Sequence, residues 1–384
     1  MDNDIKQIGT YDAELEAFEN QYPTPEGVTY NSYLIDDEKI AVIDTVDARK
    51  SAEWQKNLRK ALPEGRTPDY LIVEHLEPDH TGALSWLMAQ YPECRLVCTA
   101  AAGRMLPLVT GDPTLTERMM TVADGEKLSL GRHTLSFHTA PMVHWPEVMM
   151  VYDEASHTLF SADAFGSFGN PESKARDEEA ARYYYNIVGK YGQPVRAVLA
   201  KLKDKEIDTI APLHGSVISG DVRKYLDLYD KWSSYEPEEE GVLVAYASIH
   251  GMTADAADRM AEILIGAGAQ KVVTVDLTRD NHSHAVREAF RMSRMVLMAP
   301  TYDGDLFPPM HHFLHHLSLK GFRNRAVGIV ENGLWAPAAG RKMKAMLEGM
   351  QDIRIAEPAV TLRGRHTAQN MEQLAEMAEN LMKL

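Results

Sequence analysis

The sequence predicts an α/β protein of two domains, the second of which is a doubly wound parallel sheet. Beyond residue 240, short apolar segments alternate with segments of helical periodicity, the pattern of a parallel sheet that is covered by helices on both faces. A Pro-containing acidic run without periodicity, residues 233–240, precedes this region and is typical of a linker. A length of 384 residues is sufficient for two domains. The predicted domains span residues 1–238 and 241–384.

The composition excludes several classes of protein. A net charge of −16 argues against a partner such as nucleic acid or an anionic membrane, because both bind basic surfaces. Cys94 and Cys98 form neither a disulfide framework nor a zinc ribbon, and we expect buried free thiols in a reducing compartment. The sequence begins without the pattern of a signal peptide, and no apolar run is long enough to span a bilayer. We therefore expect a cytoplasmic protein.

The first predicted domain consists of short strands that are joined by loops and helices. A hairpin is predicted over residues 28–46, where two β-rich runs flank a polar turn. The periodicity predicts further strands over 69–74, 95–100, 128–150 (interrupted by a Pro-bearing loop at 140–147), 159–163 and 207–212. Apolar residues at helical spacing predict helices over residues 50–61, 81–88, 177–191 and 194–203.

The stretch His75-Leu-Glu-Pro-Asp-His-Thr-Gly82 concentrates potential metal ligands on a predicted strand-to-helix loop. Two histidines and two carboxylates, those of Glu77 and Asp79, lie between His75 and His80. Groups this close repel one another and lose solvation unless a cation compensates them. A solvated loop could have the same composition, but the density of ligands favours a metal site.

Three isolated residues extend this site. His144, Asp163 and His214 each follow an apolar strand-like run, as His75 does, and the ends of strands can converge at one edge of a sheet. A lone loop histidine is weak evidence, but the repeated pattern strengthens it. The histidines that lack this placement are expected to be ordinary strand or turn residues: His133, His138 and His157.

The second predicted domain begins with the apolar strand 241–247, followed by a loop of small and hydroxyl residues and a helix over 254–266. Such a loop places backbone N–H groups and a helix N-terminus around an anion. Further strands are predicted over 271–277, 295–300 and 325–330, and further helices over 282–292, 309–319, 337–350 and 367–383.

Three loops that follow strands of this domain predict an FMN site. The first, S-x-x-G-x-T, resembles the phosphate loop of flavodoxins, and the third has a glycine and an aromatic residue where an isoalloxazine ring would stack. A dinucleotide is less favoured, because G-x-G-x-x-G is absent. The candidate FMN-binding residues are Ser248, Ile249, His250, Gly251, Met252, Thr253, Pro300, Thr301, Tyr302, Asp303, Gly304, Glu331, Asn332, Gly333, Leu334, Trp335 and Ala336.

The run His311-His-Phe-Leu-His-His316 places histidines four residues apart on a predicted helix. No carboxylate accompanies them. We expect a structural or surface role for this run.

The order H-x-E-x-D-H, then His, Asp and His, resembles the metallo-β-lactamase superfamily, with one departure. Most hydrolases of that superfamily have His where this chain has Glu77, and Glu at this position resembles the flavodiiron proteins (A-type flavoproteins). Other motifs of that family are matched by Val143-His-Trp-Pro-Glu147, Leu159-Phe-Ser-Ala-Asp-Ala-Phe-Gly166, Arg182-Tyr-Tyr-Tyr-Asn-Ile187 and Ala211-Pro-Leu-His-Gly215.

The resemblance implies a metallo-β-lactamase-like αββα sandwich followed by a flavodoxin-like domain, with two iron ions and FMN. It implies one iron bound by His75, Glu77 and His144. It implies a second iron bound by Asp79, His80 and His214, with Asp163 bridging both. The ligand types support this independently of the resemblance. A set of four imidazoles and three carboxylates is suited to iron or manganese, whereas an all-histidine pocket is typical of zinc.

The activity that the resemblance implies is the reduction of O₂ to water, of NO to N₂O, or both. The electrons would come from a donor protein such as rubredoxin, in a head-to-tail homodimer or a dimer of dimers. Two alternative functions belong to other classes of protein. A metallo-hydrolase would use a metal-bound hydroxide, and Glu77 and the flavin loops argue against it. A sensor without catalytic activity would bind flavin or metal and signal to a partner, and the complete ligand set argues against that.

Overall fold

A computed structural model describes residues 2–384, and the chain divides into two compact units, Met1–Asp230 and Lys231–Leu384. Among the helices of residues 2–384, none has both the length and the apolar composition that crossing a bilayer requires. Each unit has its own hydrophobic core.

The first unit contains two mixed sheets. The strands in chain order are β1 Ile5–Gln7, β2 Thr10–Asp12, β3 Ala17–Phe18, β4 Tyr22–Pro23, β5 Val28–Tyr30, β6 Tyr33–Ile35, β7 Ala41–Ile43, β8 Tyr70–Ile72, β9 Arg95–Thr99, β10 Met119–Val122, β11 Lys127–Ser129, β12 Thr134–Thr139, β13 Met149–Asp153, β14 Thr158–Phe160, β15 Thr209–Ala211 and β16 Ile218–Ser219. The first sheet has the order β1-β6-β7-β8-β9-β10 and the second the order β11-β12-β13-β14-β15-β16.

The two sheets pack face to face. Apolar side chains of the first sheet, such as Ile43, Ile72 and Val97, belong to the same buried cluster as Phe137 and Phe160 of the second. Strands β7 to β10 are parallel neighbours in the first sheet, and β14 and β15 are a parallel pair in the second. Because parallel strands end at the same edge, the loops that follow them lie close together.

The helices of this unit are α1 Ser51–Ala61, α2 Pro78–Thr81, α3 Leu84–Gln90, α4 Ala100–Thr110, α5 Arg176–Tyr183, α6 Gly192–Leu202 and α7 Val222–Ser233. The segment predicted as one helix over 177–191 is interrupted. Helix α5 ends at Tyr183 and continues as a π-helical turn, Tyr184–Val188, and a 3₁₀ turn, Gly189–Tyr191. Strands β1 to β4 were not predicted, because two or three residues are too few to show alternation.

The second unit is a doubly wound sheet. Its strands are β17 Glu239–Tyr246, β18 Val272–Asp276, β19 Met292–Tyr302, β20 Asp305–Leu306, β21 Arg325–Asn332 and β22 Ile353–Leu362. The parallel order β18-β17-β19-β21-β22 is that of flavodoxin-like sheets. The helices are α8 Met252–Gly266, α9 His282–Arg291, α10 Pro308–Leu319, α11 Ala339–Glu348 and α12 Ala368–Lys383.

Strand β22 was not predicted from the sequence. Its segment contains Arg354, Glu357 and Pro358 among its apolar residues, and proline within a run argues against a central strand. In the structure β22 pairs only with β21 among the described strands, so it lies at the edge of the sheet, where proline is tolerated.

Candidate functional site

The seven predicted metal ligands come together at one edge of the first unit. His75 follows strand β8, and helix α2 carries Asp79 and His80. His144 lies in the loop between β12 and β13, while Asp163 and His214 follow the parallel strands β14 and β15. All four histidines and Asp163 are buried. The ends of strands from both sheets therefore supply the site.

Close packing explains why the stretch His75–Gly82 ends in a glycine. A Cβ atom at Gly82 would lie 2.2 Å from the backbone nitrogen of Ala48, so helix α2 approaches the preceding loop as only a glycine permits. Thr45 also binds the carbonyl of His80, with its backbone N–H at 2.9 Å and its hydroxyl at 2.7 Å. These contacts hold Asp79 and His80 in position.

The ligand atoms form two groups. In the first, Glu77 Oε2 lies 3.1 Å from His75 Nε2 and 3.2 Å from His144 Nε2. In the second, Asp79 Oδ1 lies 3.5 Å from His80 Nε2, and Asp79 Oδ2 lies 3.4 Å from His214 Nε2. Within each group the potential ligand atoms lie within 4.8 Å of one another, as one metal ion requires. We refer to these groups as the first triad (His75, Glu77, His144) and the second triad (Asp79, His80, His214).

Asp163 contacts both triads, and it does so with different oxygens. Its Oδ2 atom lies 3.1 Å from His144 Nε2 and 3.7 Å from His75 Nε2. Its Oδ1 atom lies 3.0 Å from His80 Nε2 and 3.7 Å from His214 Nε2. One carboxylate therefore faces two potential metal positions, one with each oxygen.

Several buried polar atoms of the site have no hydrogen-bond partner of suitable geometry among the described residues. They are Asp79 Oδ1 and Oδ2, both ring nitrogens of His80, Asp163 Oδ1 and His214 Nε2. Leaving such atoms unpaired in the interior is costly, and native proteins rarely do so without a function. The donor set therefore fits metal ions, which would satisfy these atoms.

The electrostatics of the site also favour cations. Burial raises the pKa of Glu77, but hydrogen bonds from His144 and His75 outweigh this effect and lower the pKa to about 2. Burial lowers the pKa of His80, but the carboxylates of Asp79 and Asp163 outweigh it and raise the pKa to about 9. The pKa of Asp163 is likewise lowered, although burial raises it, because His80 and His144 stabilise its charged form. The carboxylates of Glu77 and Asp163 thus remain ionised and stabilise positive charge in their surroundings.

Sequence reasoning missed the residues that orient the histidines. His75 Nδ1 donates to Glu147 Oε1 at 2.9 Å, and His214 Nδ1 donates to the Thr29 carbonyl at 2.7 Å. Both bonds leave Nε2 directed at the site, as in proteins where a carboxylate or carbonyl fixes the tautomer of a metal ligand. Glu147 belongs to a motif noted in the sequence, but no sequence signal identified Thr29.

Aromatic rings surround the second triad. The rings of Phe18, Tyr30 and Tyr183 lie 5.1, 5.8 and 5.6 Å from the ring of His214, measured between centroids. A cleft lined by Phe18, Tyr30 and the acidic residues Glu77 and Asp79 runs beside this wall. It offers small molecules a path to the site, although Phe18, on the short strand β3, gave no signal in the sequence.

The three histidines that were left out of the predicted site lie elsewhere in the first unit. His133 is buried and donates from Nδ1 to Asp153 Oδ2 at 2.8 Å, and His138 lies within strand β12. His157 forms an exposed group with Glu206 and Asp208. Exposed carboxylates commonly lie beside histidine in this way without a metal ion.

In the second unit, the predicted FMN loops follow strands β17, β19 and β21 and form a cleft. Of the candidate residues, those that line it are Ser248, Ile249, His250, Met252, Thr253, Pro300, Thr301, Asn332, Gly333, Leu334 and Trp335. Gly364, which was not predicted, also lines the cleft and exchanges two hydrogen bonds with Asn332. It follows β22, the strand that the sequence did not reveal.

The other candidate FMN residues do not line this cleft: Gly251, Tyr302, Asp303, Gly304, Glu331 and Ala336. The side chain of Glu331 accepts hydrogen bonds from the Gly340 N–H and the Thr361 hydroxyl, both at 2.8 Å. Its carboxylate therefore stabilises the start of helix α11. Gly251 is the N-cap of α8 and has a φ of +82°, a conformation that glycine adopts without strain.

The first loop is shaped for an anion. The Ser248 hydroxyl oxygen accepts from the N–H groups of Gly251 and Ala254 at 3.1 and 3.3 Å, so the loop is folded around it at the N-terminus of helix α8. The apolar side chains of Ile249, Leu334 and Trp335 are exposed at the cleft, Trp335 by 79%. Exposed aromatic surface beside a helix N-terminus suits a ligand with a phosphate and a flat ring.

Comparisons with known proteins agree over most of the chain. Residues 28–215 match the family model described as ODP family beta lactamase. The anaerobic nitric oxide reductase flavorubredoxin of Citrobacter koseri is 30% identical over 360 residues, 90% of this chain and 74% of that protein. The structure of rubredoxin oxygen:oxidoreductase from Desulfovibrio gigas matches with a TM-score of 0.93 at 23% identity, covering 100% of this chain and 97% of the other. The flavodiiron protein of Giardia intestinalis matches with a TM-score of 0.91 at 24% identity, covering 100% and 95%.

These comparisons confirm the predicted fold class, a metallo-β-lactamase-like sandwich followed by a flavodoxin-like sheet. They favour an oxidoreductase over the alternative of a hydrolase. The resemblance that was first visible in Glu77 and the surrounding motif therefore holds for the whole chain, which belongs to the flavodiiron protein family.

Proposed function

We propose that this protein passes electrons from a donor protein through FMN to a diiron centre, and that it reduces O₂ to water, NO to N₂O, or both. The observation that carries the proposal is the position of Asp163, whose two oxygens face the first and the second triad separately. One similar protein is a nitric oxide reductase and another is a rubredoxin oxygen:oxidoreductase, which supports both substrates.

The residues that would hold the irons follow from the two triads. His75, Glu77 and His144 would hold one ion, and Asp79, His80 and His214 would hold the other. Asp163 would bind both. Carboxylates mixed with imidazoles suit iron, and the unpaired buried atoms of the second triad support this assignment.

When bound, the flavin and the diiron centre supply the electron transfer that the reaction needs. The residues of the chain orient the metal ligands and enclose the site. Glu147 and Thr29 hold the rings of His75 and His214, so that little reorganisation is needed when the metal ions bind. Phe18, Tyr30 and Tyr183 exclude bulk water around His214, and the adjacent cleft admits a small substrate.

The cleft of the second unit would hold FMN. The Ser248 hydroxyl oxygen accepts hydrogen bonds from two backbone N–H groups, so its hydroxyl proton is available to donate to a phosphate oxygen. The N-terminus of helix α8 would stabilise the phosphate charge, and Trp335 would cover the isoalloxazine ring.

Metal and flavin analysis tests this proposal. Protein isolated from an iron-replete host is expected to contain about two iron atoms and about one FMN per chain, because the mixed carboxylate and imidazole ligands favour iron. Stopped-flow mixing of the reduced protein with O₂ and, separately, with NO then determines which substrate reoxidises it faster. Active protein that contained stoichiometric zinc instead of iron would contradict the assignment.

We also propose that the second unit folds and binds FMN by itself. The sequence predicts its start at residue 241. An earlier start is supported by Arg325, which is buried and donates to the Tyr235 carbonyl at 2.8 Å. A fragment of residues 231–384 is therefore expected to bind FMN and to be more stable than 241–384 by about 1–3 kcal/mol. Thermal unfolding and the visible flavin spectrum measure both properties. A folded but colourless 231–384 fragment after addition of FMN would refute the flavin assignment.

A further inference from the structure

A second cluster of histidines lies in the unit 231–384, where none of its members lines the proposed FMN cleft. On helix α10, His312 Nε2 lies 3.0 Å from His316 Nε2. From the N-terminus of helix α9, the ring of His282 packs against that of His312 with the centroids 4.9 Å apart. The three imidazoles thus come from two neighbouring helices. We call them the helical histidine cluster.

His282 has the hydrogen bonding of a metal ligand. Its Nε2 atom lies 2.9 Å from the Leu277 carbonyl, to which it can only donate. In the neutral ring, Nδ1 is then an unprotonated acceptor, and this buried atom has no hydrogen-bond partner among residues 2–384. A histidine whose one nitrogen is tied to a carbonyl while the other is free is the usual arrangement at metal sites.

The two histidines of helix α10 are held in the neutral form that binds metals. Burial lowers the pKa of His316 to about 4, and the neighbouring His312 and Lys320 act in the same direction. Burial together with the nearby His282 also lowers the pKa of His312. The neighbouring groups that shift the pKa of these two side chains are histidines and Lys320, with no carboxylate among them. The two rings are therefore available as ligands near neutral pH.

We propose that His282, His312 and His316 bind one divalent transition-metal ion of the Zn²⁺ class, at a site separate from the proposed diiron centre. Helix α10 supplies two Nε2 atoms that lie 3.0 Å apart. The ligand atoms of the three histidines do not all lie within 4.8 Å of one another, so the ring of His282, which packs against His312, would have to turn to bring Nδ1 to the ion. Ligands that are all imidazole select Zn²⁺, Cu²⁺ or Ni²⁺ over Mg²⁺ and Ca²⁺, which require oxygen. Water would complete the coordination.

The test is a Zn²⁺ titration of the protein as isolated, with its flavin and metal content measured before and after. Isothermal titration calorimetry is expected to show about one Zn²⁺ bound per chain without loss of iron. The double variant His312→Gln/His316→Gln should weaken this binding by more than about 100-fold, which exceeds the effect of removing an outer partner of a ligand. His282→Gln should weaken it by about 10-fold or more.

A matched control lies on the same helix. His311 and His315 have the same spacing, but their rings stack in parallel with the centroids 6.4 Å apart, and neither packs against His282. The variant His311→Gln/His315→Gln should retain Zn²⁺ binding. Unchanged binding in His312→Gln/His316→Gln, an equal loss in the control variant, or Zn²⁺ uptake matched by loss of iron would each overturn the proposal. Unchanged binding in His282→Gln would remove that residue from the site. Unaltered FMN content and melting temperature show that the variants are folded.

Discussion

Replacement of Asp163 by asparagine is expected to abolish the reduction of O₂ and NO while leaving the FMN content unchanged. In the structure Oδ2 faces the first triad and Oδ1 the second, and an amide keeps only one oxygen. One of the two triads would then face an NH₂ group, which cannot bind a metal ion, and a negative charge would be lost between two cations. We expect turnover to fall by about 10²–10³-fold or more, which corresponds to several kcal/mol of electrostatic stabilisation.

Two control variants make this prediction specific. His144→Ala removes one ligand from the first triad only, so it should reduce turnover and iron content less than Asp163→Asn does. Asp153→Asn changes another buried carboxylate, which binds His133 and Ser156 outside the site, and it should lower stability without removing iron. Wild-type iron content and turnover in Asp163→Asn would exclude Asp163 from the centre.

Mixing two inactive variants is expected to restore activity, because we propose that the flavin of one chain delivers electrons to the irons of another. The metal ligands and the flavin loops belong to separate compact units, and Trp335 exposes 79% of its surface at the flavin cleft. A large exposed aromatic side chain at a functional cleft is typical of a surface that a partner covers. The head-to-tail dimer that the family resemblance implies would cover it.

The two variants are Asp163→Asn, with an intact flavin site, and Gly251→Val/Thr253→Ala, with intact metal ligands. After subunit exchange, on the order of a quarter of the wild-type activity should return, since about half of the dimers are mixed and each contains one intact pair. Mass spectrometry of differently labelled chains measures the exchange. Complete exchange without recovered activity would show that electrons pass within a single chain.

Much of the fold could be predicted from the sequence, because its elements carry strong local patterns. The alternation of apolar strands and amphipathic helices after residue 240 predicted helices α8 to α12 to within a few residues. Helices α4 and α7 were not predicted, and other departures occurred where the local pattern is weak. The edge strand β22 contains Pro358, and nothing in the local pattern of Tyr184–Val188 separates a π-helical turn from an α-helix.

The candidate site likewise contains residues that the sequence indicated and residues that it did not. His75, Glu77, Asp79 and His80 were visible because they are contiguous, and His144, Asp163 and His214 because each follows a strand. The partners that orient these ligands were not visible. Glu147 binds His75, and Thr29 binds His214, across long separations in the chain that leave no periodic trace.

The sequence by itself therefore predicted the fold class, the candidate ligands and the family resemblance, since these depend on residue type, spacing and periodicity. The tertiary structure alone showed that the two oxygens of Asp163 face different triads and that Gly364 lines the proposed FMN cleft. It also showed that His282 of helix α9 packs against His312 of helix α10, in a run for which the sequence had indicated only a structural or surface role. Such contacts depend on how elements pack in three dimensions, and packing brings together residues whose positions in the chain share no local pattern.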